Sequence, residues 1–598
     1  MRSAWTVVVA LGCTRPPPTC SDPPPGTRHV PDDHTTIQAA IDAAADGGLV
    51  CVSDGTYTEQ LTLTDRRLII EGVGPDAVVV DAEEAGSVVQ IEGGYIALSG
   101  LTLTGGLTSN DGGGIVASDT VLRLDGMRLH ANQVVRFHDY GHGGGLYATN
   151  SRVFIHNVTV SDNRIEAGVG RGAGLAFEDS DVWLDQVHIT GSVVRANGYS
   201  GAGLWQAGGT LQTRGLTVSH TDGQKSVDGA IASGLGLDLL DVDASLEDTL
   251  LEDNLGWCEG ATVACSLGSG ILEQRFGTLQ STHLTIHNNH LELNALGGAS
   301  GGPGVALSSL EQATLTHTHI SNNRVDTTTP DSTSVDAHGL LHLYNVGHTR
   351  VSHFTATHNT TGPNTGLGTT IGGAIFARCS PLQATHVDIR GNHAGPGSVH
   401  GGLIQVEGSA AALENVVLAG NTFDDGYGLI GGVARVAAAD CTDAPDNTPG
   451  HLSLRQADIV GNVLPAASVR GGLFRLDAGS TITLENTQLV DNVVPASEYP
   501  TGRLAHFDDT PGSALRLRHA SIWPARPGPH AWWPTPPVSR TLSLPPAYTD
   551  TTSPDPVDWN LHLKPHAAAI DAGAPGTLDT DGSTADLGAY GGPNGASW

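Results

Sequence analysis

The chain has 598 residues, enough for a large core, and 79 of them are glycine without a Gly-X-Y period, which excludes collagen. Its formal net charge is −33, from 29 basic and 62 acidic residues, and its two lysines are Lys225 and Lys564. Such a surface repels phosphate backbones, so nucleic acid is excluded as a partner, and it favours a soluble monomer.

Met1-Arg2 followed by the apolar run Ala4–Leu11 reads as an export leader over 1–13. Ala10-Leu11-Gly12-Cys13 resembles a bacterial lipoprotein cleavage site, which implies lipidation of Cys13 and membrane contact through that anchor only. No later stretch approaches the length of a transmembrane helix. Residues 14–34 form a proline-rich tether. Within 35–100, Thr35–Ala45 is predicted as a helix: Ile37, Ala40, Ile41 and Ala44 share one face, and Thr35 or Thr36 caps it. Placed over the first coil, this short N-terminal helix hides an open strand edge.

Residues 101–520 are repeats. Each closes on an asparagine: 132, 163, 254, 289, 323, 359, 392, 421, 462 and 492, with Ser192 and Thr221 in the two equivalent gaps and spacings of 29 to 41 residues. The residue three before each anchor is apolar, from Leu129 to Leu489, and alternation around it is the mark of a strand with one buried face. Six before the anchor the column is polar: Asn157, Asp248, His283, His317, His353, His386 and Asn486 are examples, residue types that suit a turn or a polar ladder. Glycine clusters such as Gly143–Gly145 and Gly372-Gly373 mark another corner. A coil of about 30 residues cannot bury its own apolar face, so coils must stack in parallel. The predicted fold is an all-β, right-handed parallel β-helix solenoid of about 12–14 coils with a short N-terminal capping helix.

Gly372-Gly373-Ala374-Ile375 and the closing apolar-x-x-Asn resemble the repeats of chlamydial polymorphic outer-membrane proteins, and the whole chain resembles the pectin-lyase-like β-helix superfamily. That superfamily includes lyases, hydrolases, esterases, adhesins and inert rods, so the resemblance implies the fold and leaves function open.

Three excursions leave the repeats, at Leu255–Gly268, Asp326–Ala337 and Ala437–His451. Residues 521–560 form a Pro/Trp-rich peripheral loop, with Trp532-Trp533 packing on the last coil or stacking on sugar. Residues 561–598 resemble a closing segment of bacterial β-helix proteins, which implies a cap on the C-terminal end. Beyond Cys13 there are six cysteines. Cys258 pairs with Cys265 and Cys20 with Cys51 as candidate disulfides, while Cys379 and Cys441 lie about two coils apart unless the excursion folds back.

Candidate chemistry is sparse. His283, His317, His353 and His386 are expected to stack roughly 5 Å apart as a polar turn ladder, since a linear stack makes no tetrahedral metal cage; the alternative is a response to pH. Asp579, Asp581 and Asp586 resemble a calcium loop without its closing glutamate, making Ca2+ the one candidate cofactor, though none is required. Asp424-Asp425, paired with Arg390 one coil earlier, are the catalytic candidates, since two carboxylates are the usual minimum for glycoside cleavage. No Gly-rich phosphate loop or Ser/His/Asp frame occurs. The sequence is therefore read as an exported, lipid-anchored outer-membrane or cell-surface protein of structural, adhesive or glycan-binding role. Its partners are polysaccharide or cell-surface proteins. The alternative is a polyuronate lyase or glycoside hydrolase, favoured if carboxylates converge on one outer face.

Overall fold

The computed structural model describes residues 19–597 except 226–231, 261–264, 267–269, 296–298, 328–334, 338, 362–369, 372–373, 396–397, 401, 425–427, 431, 443–446, 465–468, 471, 478, 494–504, 508–511, 524–538, 544 and 546. The leader with Cys13, the pair Trp532-Trp533, Asp425 and the Cys258–Cys265 bond all lie outside what is described.

One coil shows how the sequence becomes a parallel β-helix. Val305–Ser308 follows a glycine corner, Gln312–Ser321 follows a tight turn, and Arg324–Thr327 follows the closing asparagine. Each pairs in parallel with the next coil: Val305 with Leu341, Gln312 with His348, Arg324 with Thr360. Inward residues Val305, Leu307, Ala313, Leu315 and Ile320 are buried in one core that runs the length of the stack. About a dozen coils repeat this arrangement.

Strict alternation from Leu315 would send Ile320 to solvent. His317 prevents that. Its φ of +52° puts it in the left-handed region, bends the strand, and shifts the inward set by one residue so that Thr318 and Ile320 point inward. All twelve positions of this column, from Gly126 to Asn486, have positive φ, which explains the run of Gly, Asn, Asp and His there. The ring centroids of His283, His317, His353 and His386 follow one another at 5.0, 4.5 and 4.5 Å, near the expected spacing.

The closing asparagines turn inward and form a ladder. Asn323 Oδ1 accepts from both the backbone N and Nδ2 of Asn289, each at 2.9 Å. Asn323 Nδ2 donates to Ile286 O and to Asn359 Oδ1, also at 2.9 Å. Each amide thus satisfies buried backbone groups of a turn that no strand can reach. Where Thr221 replaces asparagine, its Oγ1 donates to Asn254 Oδ1 at 2.8 Å. The glycine corner is set by space as well as conformation: Gly143 has φ +61°, and a Cβ there would strike the Leu146 carbonyl.

At the start of the stack, Ile37–Ala43 is a seven-residue helix with Thr36 as its N-cap and Ile37, Ala40 and Ile41 buried. Glu59 accepts the N–H groups of Ile37 and Gln38 at 2.8 Å each. Cys20 is bonded to Cys51, joining the tether to the first coils. Cys379 is bonded to Cys441, so the excursion after Ala437 does fold back.

The C-terminal segment departs from expectation. It does not plug the end of the stack but runs as a strap along the flank formed by 388–390, 417–419, 458–460 and 488–490. Tyr548, Leu561 and Ala589 cluster there with outward-facing Val417, Ala419, Val460 and Val490. Asn415 Nδ2 donates to Ala589 O at 2.6 Å, Gln488 Nε2 to Leu587 O at 3.1 Å, and the Ala574 N–H to Asn486 Oδ1 at 2.7 Å. The reason is local: on these coils the outward positions become apolar or amide-bearing, so the flank itself needs a cover.

Candidate site at the glycine corners

The residues directly before successive glycine corners align in register: His142 with Arg171, then Arg171 with Ser200, then Ser200 with Ser233. The residues five positions later form a second column on the same outer edge: Tyr147, Ala176, Trp205, Asp238 and Glu273. Parallel stacking therefore places two columns of outward side chains against each other.

His142 sits at their junction and is 8 % exposed. Its backbone N and Nδ1 meet Asp111 Oδ1 at 2.9 and 3.0 Å, and Arg136 approaches the other oxygen at 3.2 Å. Burial alone would raise Asp111, but the hydrogen bonds and charge of His142, with Arg136, hold it below the ordinary carboxylate range. An ionised Asp111 accepts from Nδ1–H and so fixes the ring with Nε2 turned the other way. Arg171 Nη1 faces that nitrogen at 3.4 Å.

Aromatic rings wall the site. Tyr147 and Trp205 lie 5.0 and 5.4 Å from the His142 ring, and the small Ala176 between them leaves room for it. The Arg171 guanidinium lies 4.3 Å from the Tyr140 ring and 4.7 Å from Trp205. Its Nε is buried with no hydrogen-bond partner among the described residues. Tyr147 Oη donates to Glu178 Oε2 at 2.7 Å; burial, then that bond and the Glu178 charge, push the phenol well above its ordinary value. Next along the stack, fully buried Asp238 accepts from Ser233 Oγ at 2.7 Å and from Arg275 Nη2 at 3.2 Å on both oxygens. An imidazole oriented by a carboxylate, a neighbouring guanidinium and a phenol share one half-buried wall.

The residues singled out from sequence lie elsewhere. Arg390 does not pair with Asp424. It bonds Asp388 at 2.6 Å, Trp559 O at 2.8 Å and Tyr590 Oη at 3.0 Å beneath the strap, while Asp424 meets His393 at 3.3 Å. The three C-terminal aspartates serve turns. Asp579 accepts from the N–H groups of Gly592 and Asp586, Asp581 from Ser583, and Asp586 from the Asp571 N–H. Among the described residues no group of three or more His, Cys, Asp or Glu is arranged to hold a metal ion. Asp111, His142, Arg171, Tyr147, Trp205 and Asp238 were not legible as candidates, although each stands directly before a glycine corner or five residues after such a position, a usable signal; Glu178 carries no such mark.

No family profile matches the chain, and no curated protein matches it by comparison. The chain matches three solved structures weakly. One is pectin methylesterase PemA from Erwinia chrysanthemi (12 % identity, TM-score 0.18, 53 % of this chain and 89 % of that one). Another is the catalytic domain of a GH87 alpha-1,3-glucanase (10 %, 0.21, 84 % and 69 %). The third is the PL6 family alginate lyase AlyGC (11 %, 0.19, 83 % and 100 %). The class defined by the chain's own topology is the parallel β-helix, and these scores add no argument about activity. Among the described residues no helix is long and apolar enough to cross a membrane, and the two disulfides fit an oxidising compartment.

Proposed function

We infer that the protein is a carbohydrate-active β-helix protein that cleaves an acidic polysaccharide by elimination, with His142 as base. The observation that carries this reading is the 3.4 Å approach of Arg171 Nη1 to His142 Nε2, with His142 oriented by Asp111. In elimination from a uronate, a base removes the proton next to the carboxylate, a cation neutralises that carboxylate, and an acid protonates the leaving oxygen. Arg171 supplies the cation. When substrate takes that guanidinium, His142 Nε2 is released to accept the proton. Tyr147 stays neutral and hydrogen-bonded to Glu178 at the edge of the site, the protonated His142 hands its proton to the leaving oxygen, and exposed Tyr140 flanks the sugar. Elimination is favoured over hydrolysis because Asp111 is held ionised by His142 and Arg136, whereas hydrolysis needs one carboxyl kept protonated.

This replaces a purely structural rod as the main reading, since groups do converge on one outer face. Export fits the disulfides, and anchoring through Cys13 belongs to the same proposal. The test incubates the full chain with polygalacturonate and with alginate and follows the absorbance of unsaturated chain ends. Activity should fall at least about a hundredfold in His142→Ala. Binding without new ends would leave a glycan-binding protein, and neither binding nor cleavage of either polymer would overturn the reading.

A further inference from the structure

The coil that carries His142 differs from the next by a short insertion. Gln133–His142 pairs with Arg164–Arg171 as far as Arg136 opposite Ala167, and the pairing resumes at Tyr140 opposite Val169. Phe137, His138 and Asp139 therefore stand against Gly168 alone. The following pairing, with Val193–Ser200, keeps Ala167 opposite Ala196 and Val169 opposite Gly198, so it carries no such bulge. Gly168 makes room for the insertion: a Cβ there would come within 3.0 Å of the Asp139 carbonyl oxygen. Bulges of this kind re-aim side chains beside sites.

Both ends of the bulge are tied to the corner site. Arg136 meets Asp111 at 3.2 Å and Asp139 at 3.7 Å. The Tyr140 ring lies 4.3 Å from the Arg171 guanidinium and 6.4 Å from the His142 ring, with the two ring planes 18° apart. Phe137 is 63 % exposed and Tyr140 51 %, and no other described Phe or Tyr is as exposed. A single exposed ring is ordinary on a protein surface. An insertion that holds one in water between two residues of a site is not explained by packing.

We propose that Phe137 is a sugar-stacking residue of the corner site, taking the pyranose next to the one whose carboxylate meets Arg171. One face of a pyranose is made of C–H groups. Laid on an aromatic ring, that face meets the negative side of the π-system, and both surfaces leave water. Phenylalanine adds no polar atom, so it recognises the sugar face and leaves charge to Arg171. Phe137 lies three residues from Tyr140, at most about 10 Å along the chain, within reach of neighbouring units of one polymer. The inference rests on the acidic-polysaccharide reading above and adds the residue that holds a second sugar.

The test is electrophoresis of the full chain through gels containing polygalacturonate or alginate, beside cleavage kinetics on the same polymers. Retention is expected, and Phe137→Ala should weaken it at least roughly fivefold. Phe137→Trp, which keeps a flat face, should retain it. Phe276→Ala, at a ring 50 % exposed outside the corner site, should not change it. In cleavage, Phe137→Ala should raise KM more than it lowers kcat. Retention that falls with Phe137→Ala while no unsaturated ends form would uphold the stacking role and sink the elimination reading. Cleavage whose KM is indifferent to Phe137→Ala would overturn the stacking role and leave elimination standing. Equal losses in Phe137→Ala and Phe137→Trp, or in Phe276→Ala, would overturn it as well, since a lost flat face would not be the cause. No retention in either gel would also overturn it.

Discussion

Tyr548 donates its hydroxyl proton to the buried carboxylate of Asp458 at 2.7 Å, joining the strap to the flank of the β-helix. The same carboxylate accepts from the Ala589 N–H at 2.8 Å and Gln488 Nε2 at 3.1 Å. Burial pushes Asp458 up to about 7, against those hydrogen bonds and the charge of Arg390, which pull it down. An acid whose folded value lies above its unfolded one favours folding most below the unfolded value, and that contribution is lost as pH rises toward the folded one. Strap docking is therefore expected to weaken between about pH 4 and 7, by on the order of 4 kcal/mol in all. Asp458→Asn should flatten this slope. Protease cleavage of the strap, followed against pH in both proteins, checks it; equal slopes would refute the assignment.

Asp111→Asn keeps the shape of the His142 contact but removes the charge that fixes its tautomer. The amide can donate to Nδ1, which turns the acceptor nitrogen away from substrate. Cleavage of polyuronate is expected to fall by at least about a hundredfold, with the melting temperature nearly unchanged. A variant with full activity would remove His142 from the base role.

The left-handed column predicts a reversal of ordinary strand preference. His317→Val should cost about 1–3 kcal/mol, because a β-branched residue is strained at φ +52°. His317→Gly should cost less than about 1 kcal/mol. Burial, then the charges of His353 and His283, hold His317 below its ordinary value. A base so depressed contributes stability above its unfolded value and loses it as pH falls. The wild type should therefore lose stability below about pH 6.5 more steeply than His317→Gly, as read by denaturant midpoints.

Cys379 and Cys441 are 62 residues apart, and chain-entropy arguments give such a crosslink about 4 kcal/mol. Cys441→Ser should lower the denaturation midpoint accordingly. It should also expose the excursion after Ala437 to proteases before the rest of the chain. Unchanged cleavage kinetics would show that this excursion is held by packing alone.

The repeat was legible because its physics is local. Asn323 recurs in kind at the end of each coil since the turn leaves buried backbone groups that an amide satisfies, and Ile320 recurs three residues earlier since one strand face must leave water. His317 revealed a turn by residue type before its φ was known. The outward residues follow no such rule. Whether Arg390 meets Asp424 or the strap depends on which segment, some 170 to 200 residues later, returns to that flank. His142, Arg171 and Trp205 are ordinary residues in their own coils, 29 and 34 positions apart. They come together only when parallel register sets neighbouring coils side by side. Composition and period by themselves determined a parallel β-helix with an asparagine ladder. Tertiary structure alone decided which outward residues meet, because inward positions answer to a common core while outward ones answer to whichever distant chain lies beside them.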